Sequence, residues 1–335
     1  MASPVDERDG RDIISRGQFQ REVVDACRPL VLRGLVAHWP VARTGGPAAL
    51  RDYLARFGPG AAMETFVGPP GIGGRYFYGA DLQGFNFERR TLRLGEALDL
   101  MVRGLDDAAG PTLYAGSLTL DAHLPGFADE NPMPLLAPDI HGRIWLGHAS
   151  TVATHYDAFE NLACVVAGRR RFTLYPPAAV AGLYVGPIDN TLSGQPVSLA
   201  ASDPDNPAYP RFQAVRAQAL AADLGPGDAL FLPKLWWHQV EATAPFNGLV
   251  NYWWDAFAAG PDAPFTSLLL AMITMAERPE AERQAWRAFF DHYVFRDQGH
   301  PLAHLPEEKH GVMGPLKAGN YGRIRARVMQ LLRGG

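Results

Sequence analysis

Between residues 144 and 254 the chain is written as short apolar runs separated by turn residues, and this pattern limits the fold more than any other feature. The runs fall at 144–146, 161–167, 170–175, 229–232, 238–242 and 249–254, with turns at Gly168-Arg169 and Pro226-Gly227-Asp228. Several short strands with little helix between them predict a β-sandwich or barrel. Glycine and proline, 35 and 28 of 335 residues, fit a chain of many turns, and no internal repeat accompanies them. The stretch 182–210, rich in Gly, Pro, Asp and Ser, reads as an insertion or lid over the barrel mouth.

The flanks read differently. A short helix over 19–26 leads into a strand at 29–34. Helices are predicted at 47–57, where Leu50, Tyr53, Leu54 and Phe57 recur at i, i+3, i+4 and i+7, and at 94–102. A loop covers 68–74, and a strand opens at 112–115. After Pro264 the chain turns helical to its end. The expected architecture is therefore an all-β core with flanking helices and a C-terminal helical segment, divided at 1–257 and 258–335.

Chemistry concentrates in His155-Tyr156-Asp157. In a strand, residues i and i+2 point to one face, so an imidazole and a carboxylate can converge. His238, 81 residues after Asp157, can supply a third ligand. Two histidines and one carboxylate with positions left open form the facial triad of non-haem Fe(II) oxygenases. Taken alone the motif is weak, because ten histidines give about half an H-x-D by chance. The plain alternative is a hydrogen-bonded or surface histidine at 155 and core packing at 238.

The next strands strengthen the reading. Arg170 shares a face with Phe172 and Leu174, whereas Arg171 shares one with Thr173 and Tyr175. If the apolar face is inner, Arg170 points into the barrel and requires an anion there. The plain alternative is a solvated Arg169-Arg170-Arg171 turn. Asn161 falls on a face with Ala163, Val165 and Ala167, so a polar group and small side chains can share the cavity. Trp236, Trp237, Trp253 and Trp254 are candidate walls, although aromatics at strand spacing are more often core.

In this order the motifs resemble the cupin-like JmjC oxygenases that depend on Fe(II) and 2-oxoglutarate. They are similar in particular to the factor-inhibiting-HIF-type asparaginyl hydroxylases and the tRNA wybutosine hydroxylases. The matching pieces are Arg28–Gly34 with Trp39-Pro40, Leu113-Tyr114, Thr154–Asp157, Asn161, Gly168–Arg170 running to Tyr175-Pro176-Pro177, Pro226–Asp228, Trp236–His238 and Asn251–Trp253, spread over residues 16–257. The resemblance implies a double-stranded β-helix, or jelly roll, with His155, Asp157 and His238 as iron ligands. It implies that Tyr114 and Arg170 hold the distal carboxylate of 2-oxoglutarate, with Asn161 and Asn251 beside it. Two positions depart from the family pattern. Arg170 stands where a lysine is usual, and a guanidinium can grip a carboxylate with two bonds. Val152 stands where Thr or Ser is usual, and Thr151 is the expected substitute for the missing hydroxyl.

The resemblance implies hydroxylation of a protein side chain. The alternatives are a tRNA base or a small molecule as substrate, a metal cupin acting without 2-oxoglutarate, or a barrel that only binds a ligand. A formal net charge of −4 argues against a whole surface that grips nucleic acid and leaves room for a local basic patch. Two cysteines, Cys27 and Cys164, exclude a disulfide scaffold. The first ten residues lack the basic and apolar segments of a secretory signal, and the apolar stretch 265–276 is too short to span a bilayer. A soluble cytoplasmic protein is expected. A homodimer through the C-terminal helices is also expected, because Trp286, Phe289, Phe290 and Tyr293, then Ile324, Val328, Leu331 and Leu332, recur at helical spacing; the plain alternative is that these helices pack on the outside of their own barrel.

Overall fold

The computed structural model describes residues 2–79, 84–107, 109–188, 191 and 194–334. Two compact units divide the chain, Met1–Asp255 and Ala256–Gly335.

The first unit is a large, mostly antiparallel sheet curled into a jelly roll. Its principal strands are β1 (Leu30–Arg33), β2 (Ala62–Gly68), β3 (Glu88–Arg93), β4 (Thr112–Thr119), β5 (Gly142–His155), β6 (Glu160–Ala167), β7 (Arg170–Tyr175), β8 (Leu220–Leu224), β9 (Ala229–Leu232) and β10 (Trp237–Trp254). Hydrogen bonding runs β1-β9-β6-β10-β5-β4-β2-β3, and β7 joins β10 to β8. The alternation predicted for β7 is present: Arg170, Phe172 and Leu174 are buried and Arg171 is exposed. Val31, Val165, Phe172, Leu174 and Leu230 pack into one core cluster. Each such buried side chain stabilises the fold by roughly 1.5–3 kcal/mol.

Two of the predicted runs are one strand. β10 continues for 18 residues through an irregularity between Ala242 and Phe246, where Pro245 has no N–H to give to the ladder. Its first part pairs with β7, Trp237 against Tyr175 through Ala242 against Arg170. Its last part pairs with β6, Gly248 against Ala167 through Trp254 against Glu160. The bend lets one strand present residues from both ends to the same cavity.

The turns are those marked in the sequence. Gly168, at φ +70°, turns β6 into β7, and a Cβ there would lie 2.3 Å from Asn247 Oδ1. In Pro226-Gly227-Asp228, the Asp228 carboxylate accepts from Gly34 N at 3.0 Å and Arg33 Nη1 at 2.8 Å, pinning the end of β1 to the barrel. Helices α1 (Pro47–Ala55) and α2 (Leu94–Arg103) pack on each other. Leu94, Ala97, Leu98 and Met101 form the buried stripe of α2.

Three of these principal strands escape the sequence pattern, as do the short strands Ser3–Pro4, Glu7–Asp9 and Arg75–Tyr76. β3, Glu-Arg-Arg-Thr-Leu-Arg, is an edge strand with five of its six residues exposed and carries no apolar run. β2 and β8 have mixed faces with charges at Glu64 and Asp223. The first helix starts at Arg16 and widens into a π-turn over Gln20–Val24 rather than spanning 19–26.

The second unit holds α3 (Pro264–Met275), α4 (Glu280–Phe290) and α5 (Asn320–Arg333). No side chain of α3 or α4 is buried. Ile273, Phe289 and Leu331 are 83%, 58% and 59% exposed. Asp262 is bound by the Tyr321 hydroxyl and by Arg325 Nε at 2.8 Å, which ties the start of the unit to α5. Among the described residues no helix is long and apolar enough to cross a membrane.

Candidate functional site

His155 and His238 are directly opposed across β5 and β10, and their rings stand 4.3 Å apart at 51°. His155 Nδ1 lies 2.8 Å from the Ala153 carbonyl oxygen, and His238 Nδ1 lies 3.0 Å from that of Trp236. A carbonyl oxygen only accepts, so each Nδ1 carries a proton, and in the neutral ring the lone pair is then on Nε2. Asp157 lies past the end of β5, in a loop held by Leu235 N donating to its carbonyl at 2.8 Å. Strand parity therefore does not aim this carboxylate; the loop does. One ligand atom from each of the three residues lies within 4.8 Å of the others.

His238 Nε2 is 3.7 Å from Asp157 Oδ2, but the imidazole is neutral and the contact is no salt bridge. Burial and the neighbouring His155 push its pKa down to about 4, against the pull of Asp157. His238 is thus a neutral imidazole at neutral pH, the protonation state in which it can bind a divalent metal.

These residues open onto a cavity of about 290 Å³. Tyr114, Asn161, Arg170 and Asn251 line it together with the triad. Arg170 is 3% exposed; its Nε has no acceptor, and the guanidinium forms no ion pair among the described residues. Desolvation lowers its pKa, whereas desolvation drives that of Tyr114 far up. A buried guanidinium without an anion is a costly arrangement that a ligand carboxylate would relieve.

Thr151 is the exception. It pairs with Arg75 and borders a different cavity, with Gly71, Tyr76 and Tyr209. The cause is a register slip. Val152 pairs with Val240 and His155 with His238, so β5 spends three residues where β10 spends two. The extra residue turns Val152 and His155 to the same cavity and leaves Thr151 outside it. Thr154 is fully buried and its hydroxyl has no partner.

Several lining residues carry no spacing signal. Glu64, Phe66, Phe87 and Arg89 come from β2, β3 and the residue just before β3. Trp145 and Trp253 meet edge to face at 5.7 Å, and Trp253 Nε1 donates to Asp157 Oδ2 at 3.1 Å. Gln195 and Val197 bring the 182–210 stretch to the cavity, while residues 189, 190, 192 and 193 of that stretch lie outside the described residues.

Residues 16–260 match the family model of the cupin-like domain. The chain is 28% identical over 254 residues to Jumonji C domain-containing protein 5 of Drosophila melanogaster, covering 73% of this chain and 59% of that protein. It is 34% identical over 153 residues to lysine-specific demethylase JMJ31 of Arabidopsis thaliana, 45% of this chain and 26% of that one. It is 26% identical over 275 residues to the human bifunctional peptidase and (3S)-lysyl hydroxylase JMJD7, 71% of this chain and 80% of that one. The matches thus span little more than half of the fly protein and about a quarter of the plant one.

Proposed function

The chain belongs to the cupin-like (JmjC) domain family, and on that premise we propose that it is an Fe(II)- and 2-oxoglutarate-dependent hydroxylase acting on a protein side chain. The observation that carries the reading is the pairing, in one cavity, of a three-ligand cluster with a buried and unpartnered Arg170. The first fits a divalent metal with positions to spare. The second fits one end of a dicarboxylate.

In this reading His155, Asp157 and His238 hold the iron. Arg170 and Tyr114 hold the distal carboxylate of 2-oxoglutarate, and Asn161 and Asn251 stand beside it. Bound together, ferrous iron and 2-oxoglutarate supply an oxidant for C–H bonds, using O₂ and releasing succinate and CO₂. The chain's own residues do the rest. The backbone carbonyls of Ala153 and Trp236 fix the tautomers of both histidines. The Trp145, Tyr114, Tyr76, Phe87 and Phe66 rings line the cavity and exclude bulk water. Hydroxylation of a protein is favoured by the human relative named a lysyl hydroxylase.

Succinate release from 2-oxoglutarate, measured by mass spectrometry with Fe(II) present, tests the reading. Turnover that requires both His238 and 2-oxoglutarate is expected. Metal-dependent chemistry without succinate would favour a cupin of another kind, and metal binding without any turnover would favour a ligand-binding barrel.

We further propose that residues 1–257 form the oxygenase domain and that residues 258–335 dimerise it. The support is the exposed apolar surface of α3, α4 and α5, which a second copy could cover by two-fold pairing. Light scattering should give twice the monomer mass, and Trp286→Glu/Phe290→Glu should give the monomer. Two unpaired thiols, Cys27 and Cys164, suit the reducing cytoplasm we assign to it.

A further inference from the structure

We propose that Trp253 is a positioning residue for this centre: its indole N–H, together with the Asn161 amide, locks the Asp157 carboxylate in the orientation that faces the two histidines. The inference rests on the metal reading above and adds to it a role for a residue outside the ligand set.

Asp157 needs such a lock more than its partners do. His155 and His238 sit on paired strands with their rings bonded to backbone, whereas Asp157 sits in a loop. Its Oδ2 accepts from Trp253 Nε1 at 3.1 Å and from Asn161 Nδ2 at 3.3 Å. Both donors come from paired strands, and Trp253 is the direct ladder partner of Asn161. Two convergent donors on one oxygen remove the rotational freedom of the carboxylate.

The donors are themselves held, and both are held from β5. Trp145 Nε1 donates to Asn251 Oδ1 at 2.6 Å, and Asn251 Nδ2 donates to Asn161 Oδ1 at 3.1 Å. That arm reaches Asp157 through two amides whose orientations it fixes. In the other arm the Trp253 indole has the Trp145 ring on its edge at 83° and the Arg143 guanidinium 5.6 Å from its centroid. Arg143 Nη1 is anchored on the Ser117 carbonyl at 3.1 Å and hydroxyl at 3.0 Å. Arg143 and Trp145 are two residues apart on one strand, so a single element supports both arms. A phenylalanine at 253 keeps an aromatic ring beside Trp145 and Arg143 and removes the donor, with a smaller ring and some loss of packing.

The test is titration of Co(II) alone into metal-free wild type, His238→Ala and Trp253→Phe, with affinity and the d–d absorption spectrum as readouts. Wild type should bind one Co(II) and His238→Ala should bind none. Trp253→Phe should bind about 10- to 100-fold more weakly, with shifted d–d bands, while the metal-free protein still unfolds cooperatively. Unchanged affinity and spectrum in Trp253→Phe, with wild type and His238→Ala behaving as expected, overturns the positioning role and leaves the metal reading standing. Equal binding by wild type and His238→Ala overturns the metal reading and this inference with it. If Trp253→Phe fails to fold, Arg143→Met takes its place. It should weaken Co(II) binding about threefold by loosening the indole, and unchanged affinity again overturns the proposal.

Discussion

The two ends of the cavity are built on opposite principles. At the triad the supporting atoms are held by the protein: each Nδ1 has its carbonyl, and Asp157 Oδ2 has two donors. At Arg170 the guanidinium is buried with no counter-ion among the described residues, and its Nε has no acceptor there. The first end is preorganised, so a metal arriving there reorders little. The second stores a desolvation cost that an arriving carboxylate relieves. The comparison teaches that the two ends should respond to mutation in opposite ways in the ligand-free protein.

The largest effect is expected at the preorganised end. Asp157→Ala should weaken metal binding by more than ~100-fold, beyond what loss of a supporting contact causes. Metal content after dialysis against Mn(II) measures it, and retained stoichiometric metal would remove Asp157 from the ligand set.

Next comes Arg170→Met. It should weaken 2-oxoglutarate binding by about 1.5–3 kcal/mol, the range for hydrogen bonds to a charged group. Yet the ligand-free variant should melt higher than wild type, because an unpaired buried charge has been replaced by an apolar side chain of similar length. Arg170→Lys should retain more affinity than the methionine variant. A lower melting temperature in Arg170→Met would mean that the guanidinium has a partner within the fold, and the contrast between the ends would collapse.

A smaller effect is expected from pH. The folded protein holds His238 neutral down to about pH 4, whereas the unfolded chain takes up a proton near 6.5. The contribution of His238 to the stability of the metal-free protein is therefore flat above pH 6.5 and is lost as pH drops towards 4, by on the order of 2 kcal/mol. Urea unfolding at pH 7.5 and 4.5 measures it, and His238→Gln should show a shallower fall. Equal slopes in the two proteins would deny the imidazole its buried, neutral state.

The smallest effects separate neighbouring residues. Thr151→Val should change neither metal nor 2-oxoglutarate affinity by more than about twofold, because Thr151 borders another cavity. Val152→Thr should tighten 2-oxoglutarate by a few-fold, since it places a hydroxyl on the cavity wall beside the triad. The reverse ranking in calorimetric titration would mean that the register slip in β5 is absent.

Much of this molecule follows from short-range sequence. Period-two burial in β7 requires only that apolar and charged side chains take opposite faces of a pleat, and it sends Arg170 inward without knowledge of the fold. The hairpin turn at Gly168 follows from a backbone conformation that only glycine adopts easily. The helical stripe of α2 is likewise written in its own residues. What the tertiary structure alone decided depends on pairings between distant strands. The extra residue in β5 is visible only against β10, and it decides that Val152 rather than Thr151 faces the cavity. The charged edge strand β3 is a strand because β2 pairs with it. Asp157 is aimed by a loop and by Trp253, 96 residues away, and no local period contains that distance. Local sequence sets which way a side chain leaves its own backbone; only the closed ladder of strands sets what that side chain meets.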